Sequence, residues 1–68
     1  MERIIGMAGR TNVSGQIVTV AHFTRDGEHR TLTTNVATGR SQELQWRKAE
    51  HAARHMTRAL AAIRTGGE

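Results

Sequence analysis

The dipeptide Asp26-Gly27 stands between two runs rich in β-branched and aromatic residues, Gln16 to Thr24 (QIVTVAHFT) and His29 to Ala37 (HRTLTTNVA). Glycine takes positive φ without steric cost and aspartate tolerates it, so this pair suits a tight hairpin turn between two strands. Closing the turn with Arg25 opposite Glu28 sets the register: Phe23 faces Arg30, Ala21 faces Leu32, Thr19 faces Thr34 and Ile17 faces Val36. Directly opposed residues share a face of the sheet. One face therefore gathers Ile17, Ala21, Phe23, Leu32 and Val36, and the other Val18, Val20, His22, Thr31, Thr33 and Asn35. The first is apolar on both strands at once and is expected to pack inward, leaving the second to face water or a partner.

A lone hairpin is marginal in water, so a third strand is expected at Arg3 to Ala8 (RIIGMA), with Arg10 to Ser14 as the connecting loop. From Ser41 the spacing predicts a helix to about Arg64. Ser41 serves as N-cap, Glu43 places a carboxylate near the positive end of the dipole, Arg64 falls in the last turn, and Gly66 ends the helix. At 3.6 residues per turn, Ala49, Ala52, Ala53, Met56, Ala59, Leu60 and Ile63 form one stripe with Trp46 on its flank. That stripe is expected to cover the apolar sheet face. The expected fold is α+β, a three-stranded antiparallel sheet (β-β-β-α) with one long C-terminal helix packed on one face, as a single domain over residues 1–68.

Composition narrows the function. The 68 residues include no Cys, which excludes a disulfide framework and a thiolate zinc site. No apolar run approaches the roughly 20 residues of a bilayer-crossing helix, and Met1 to Arg10 lacks the features of a secretory signal, so a cytoplasmic protein is expected. The spacing of Gly6, Gly9 and Gly15 fits neither a P-loop nor a dinucleotide fingerprint, and neither Ser14 nor Ser41 has an adjacent His and carboxylate. No catalytic residue and no cofactor is expected. His51 and His55 have the i, i+4 spacing of a metal pair, but Ala52 stands where a metalloprotease helix carries its Glu, and a third ligand would have to come from His22 or His29 on the sheet. No metal site is expected.

The net charge of +4 directs attention to the helix. Arg47, Lys48, His51, Arg54 and Arg58 fall on or beside one outward row, with His55 on its shoulder. The row is roughly 16 Å long at the helical rise per residue. It is the candidate partner-binding surface, suited to phosphates or an acidic protein. A solvated face is the competing reading, because Glu43 precedes Arg47, and Glu50 precedes Arg54, by four residues, the order that favours ion pairs along a helix.

The stretch Arg47-Lys48-Ala49-Glu50-His51-Ala52-Ala53 resembles the last helix of double-stranded RNA-binding domains, and the hairpin before it resembles that domain's sheet. The likeness covers about half the chain and implies RNA contact through the basic residues. In layout the chain also resembles small phage-encoded inhibitors of the anti-CRISPR type: one compact module with a hairpin and an Ala-rich helix. That likeness implies a non-catalytic protein that inhibits a larger nucleoprotein complex by occupying one of its surfaces, through the Arg row or the polar sheet face. A small nucleic-acid-binding module using the same arginines is the alternative, and a homodimer formed through the open sheet face or a strand edge is compatible with both.

Overall fold

The computed structural model describes residues 1–65. Four strands, β1 (Glu2–Thr11), β2 (Ile17–Arg25), β3 (Glu28–Asn35) and β4 (Ser41–Trp46), form an antiparallel sheet in chain order, and one helix, α1 (Ala49–Ala62), follows. The fold is α+β with a C-terminal helix, as expected, but the sheet has four strands instead of three.

The central hairpin has the expected register, with Arg25 opposite Glu28, Phe23 opposite Arg30 and Ala21 opposite Leu32. Asp26 and Gly27 take φ of 52° and 83°, the paired positive values of a type I′ turn, whose twist matches that of the strands it joins. β1 extends beyond the expected Arg3 to Ala8, and the connection to β2 starts later. There Asn12 accepts the backbone N–H groups of Ser14 and Gln16 on its side-chain oxygen.

The expected helix from Ser41 is corrected: Ser41 to Trp46 is a strand, and the helix begins at Ala49. Asn35 and Gly39 cause the difference. The Asn35 side-chain oxygen accepts the N–H groups of Ala37 and Thr38, Gly39 turns the chain at φ 73°, and the Asn35 N–H bonds to the Arg40 carbonyl. This closes a second hairpin. The next six residues then alternate, with Leu44 and Trp46 half-buried on one side and Ser41, Glu43 and Gln45 exposed on the other. Ser41 therefore caps nothing; the N-cap is Lys48, which makes no side-chain cap bond. The expected stop at Gly66 lies outside the described residues.

The side on which the helix packs is also corrected. It lies over Val18, Val20, His22, Thr31 and Thr33, where Val20 and Ala52 are wholly buried and Thr31 is 1% exposed. Two strands alone make the Phe23 face the more apolar, but β4 reverses the balance. It adds Leu44 and Trp46 to the Val20 face and Ser41, Glu43 and Gln45 to the Phe23 face. β1 contributes Gly6 and Ala8 to the helix side, opposite His22 and Val20, and such small residues let a helix lie close. The polar groups enclosed there find partners: the Trp46 indole N–H donates to the Thr31 hydroxyl at 2.9 Å, and ring nitrogens of His22 and His29 meet at 3.1 Å. The inward helix stripe is Ala52, His55, Met56, Ala59, Leu60 and Ile63; Ala49 and Ala53 are exposed.

Candidate functional site

A β-bulge between Ile4 and Gly6 organises the surface of β1. Residues three and ten of an unbroken strand point to opposite faces, but the extra residue resets the alternation. Arg3 pairs with Thr24 and Arg10 with Val18, so both arginines share the helix side, whereas Ile4, opposite Phe23, and Met7, opposite Ala21, share the other. Arg10 crosses to the end of the helix and donates to the Leu60 carbonyl at 2.9 Å. A cation there meets the negative end of the helix dipole, at a carbonyl that also accepts the backbone N–H of the C-cap residue Ile63 at 3.3 Å.

The expected row is brought together in part. His51, Arg54 and Arg58 are exposed on the helix, and Arg47 and Lys48 are exposed at its entrance, immediately before the first turn. His55 leaves the row: it is half-buried, with its ring 5.0 Å from that of Trp46 at an interplanar angle of 34°. Among the described residues, no group of three or more His, Asp or Glu is placed to hold a metal ion.

The ion pairs expected to quiet the row are corrected too. Glu43 lies on β4, on the sheet face away from the helix, where it meets Arg30 at 2.8 Å and Arg25 at 3.7 Å. Glu2 pairs with Arg25, Glu28 with Arg30, and Asp26 with the N-terminal ammonium. The Glu2 bond, foremost among several nearby carboxylates, raises the Arg25 pKa above its ordinary range. Among the described residues no carboxylate stands within ion-pair distance of Arg54 or Arg58. The charges are thereby sorted by face. The helix side holds Arg3 and Arg10 of β1 and Arg54 and Arg58 of α1, all exposed, with Arg47 and Lys48 exposed at the helix entrance and Glu50 in the first turn.

Arg3 and Arg10 were not part of the candidate set read from the sequence, since their common side depends on the bulge. The interruption at Gly6 was its visible trace. The His22 and His29 contact was also missed, although the hairpin register already made them diagonal neighbours on one face. Burial, and secondarily the nearby His29, hold the His22 imidazole below its ordinary value of 6.5. His22 is only 4% exposed, whereas His29 is half-buried.

No helix among the described residues is long and apolar enough to cross a membrane. Comparison with known protein families, curated proteins and solved structures finds no match to this chain.

Proposed function

We propose that this chain is a small, non-catalytic binding protein whose helix side docks on nucleic acid, free or carried by a larger nucleoprotein complex. The observation that supports it is the sorting of charge: the bases of the helix side lie without carboxylate partners among the described residues, while four acids gather around Arg25, Arg30 and the N-terminus. Exposed Arg and Lys on one face are the electrostatic footprint of phosphate recognition. Arg47, Lys48, Arg54 and Arg58 are the leading contacts, with His51 between them and Arg3 at the flank. Phosphate contacts position a protein without reading sequence, so little discrimination among duplexes is expected. Acting on the nucleic acid of a larger machine would make the chain an inhibitor of the kind its layout resembles.

The double variant Arg54→Ala/Arg58→Ala tests the reading by fluorescence anisotropy on labelled duplex RNA and DNA. Binding by the wild-type chain and a loss of at least tenfold in the variant are expected, given that removing two phosphate contacts is worth about 1.4 kcal/mol or more. Unchanged affinity in the variant, or no binding by the wild type at low salt, would contradict it.

A further inference from the structure

The helix covers one face of the sheet and leaves the other open. On that open face Ile4 and Met7 are 66 and 64% exposed beside Phe23, which the sheet and the Arg25 guanidinium 5.5 Å from its ring keep covered, and Ile17 and Val36 are 52 and 58% exposed at the other end of the strands, beyond Thr19 and Thr34. Single surface hydrophobes need no explanation, but four large ones on the one uncovered face of a small sheet mark a contact surface. We propose that this face joins two copies of the chain, sheet against sheet.

Three observations favour a second copy as the occupant. The molecule is a slab of 39 × 21 × 15 Å, so its broad side, a rectangle of roughly 800 Å2, is large enough to hold a partner's share of an interface of standard size. The charges on this face, Arg25, Arg30, Glu2, Glu28 and Glu43, are already paired with one another toward the Asp26-Gly27 end. Two such faces can therefore meet without opposing unpaired like charges. Arg3, Arg10, Arg54 and Arg58 lie on the helix side, and back-to-back sheets keep those layers on the two outer surfaces, as far apart as the dimer allows. Pairing through the β1 edge is disfavoured by comparison, since β1 carries a bulge, two glycines and flanking arginines, devices that blunt an exposed edge. A twofold contact of this kind is isologous, with the same residues contributed by each copy.

Sedimentation equilibrium or light scattering without nucleic acid tests the proposal independently of the helix side. The wild-type chain is expected to show twice its 7.5 kDa mass at about 50 µM and to dissociate on dilution. Met7→Glu places a charge among the apolar residues of the contact at a position already open to water in the single chain, so it is expected to give the single mass with an unchanged far-UV circular dichroism spectrum. Val36→Glu, at the margin, carries the test if Met7→Glu fails to fold. A wild-type chain of single mass at that concentration would overturn the proposal, and so would folded glutamate variants that keep the double mass, since the copies would then be joined elsewhere.

Discussion

Among single residues, His22 has the clearest consequence for stability. Its imidazole is buried, touches the His29 ring, and is held below its ordinary pKa of 6.5 by burial and then by that neighbour. Between the folded-state value and 6.5 the unfolded chain therefore binds a proton that the folded chain refuses. The stability of the neutral state is fully present above about 6.5 and declines as the pH falls through that window. A urea midpoint measured from pH 7.5 down to 5.5 is expected to fall in the wild type and to change much less in His22→Gln. A flat wild-type profile would remove the effect. Thr31 makes a second prediction at this scale: it is 1% exposed and accepts the Trp46 indole N–H. Thr31→Val keeps the shape of the side chain and leaves that donor without its partner, for an expected loss of about 1 kcal/mol in chemical denaturation. A Thr31→Val chain as stable as wild type would mean that water replaces the hydroxyl at the half-buried indole. The parity of His22, Thr31 and His29 was legible from the Asp26-Gly27 register alone. Their burial was not, because it depends on which side the helix takes.

At the scale of elements, what could be read divides by the range of the interactions responsible. The central hairpin needed only a turn and two alternating runs, and its register was readable residue by residue. The helix was readable from Ala49 onward, where Met56, Leu60 and Ile63 repeat at helical spacing. Its start was misplaced because Ser41-Gln42-Glu43 has the composition of a helix N-terminus, and only Asn35 and Gly39, working across the turn, divert the chain into β4. That strand then decided the packing side through Leu44 and Trp46. The actual N-terminus is unusual electrostatically: Lys48 is the N-cap without a side-chain bond, and Arg47 precedes it, both at the positive end of the dipole. Lys48→Asp supplies a capping acceptor and the favoured charge sign, and is expected to stabilise the chain by about 1 kcal/mol while weakening binding to duplex nucleic acid. A variant that gains stability with no loss of binding would show that the helix entrance takes no part in contact.

For the molecule as a whole, the fold separates two surface chemistries that the +4 net charge alone does not reveal. The helix side carries exposed bases, and the open sheet side carries apolar residues with paired charges at one end. Of the candidate site, Arg47, Lys48, His51, Arg54 and Arg58 were legible as a helical row. Their lack of neutralising partners was hidden, because local spacing offered Glu43 to Arg47 while the sheet gives Glu43 to Arg30 and Arg25. Arg3 and Arg10 joined the same side only through the bulge in β1. The separation makes a comparison between faces decisive. The most direct test is the salt dependence of binding to a labelled duplex DNA, measured for the wild type, for Arg54→Ala/Arg58→Ala and for Arg25→Ala/Arg30→Ala. With Arg47, Lys48, Arg54 and Arg58 on phosphates, the logarithm of the association constant is expected to fall by about 3 to 4 per decade of salt, and by about 2 less in the helix variant. The sheet variant, if folded, is expected to keep the wild-type slope. A wild-type slope near zero, or equal reductions in the two variants, would contradict the assignment of binding to the helix side.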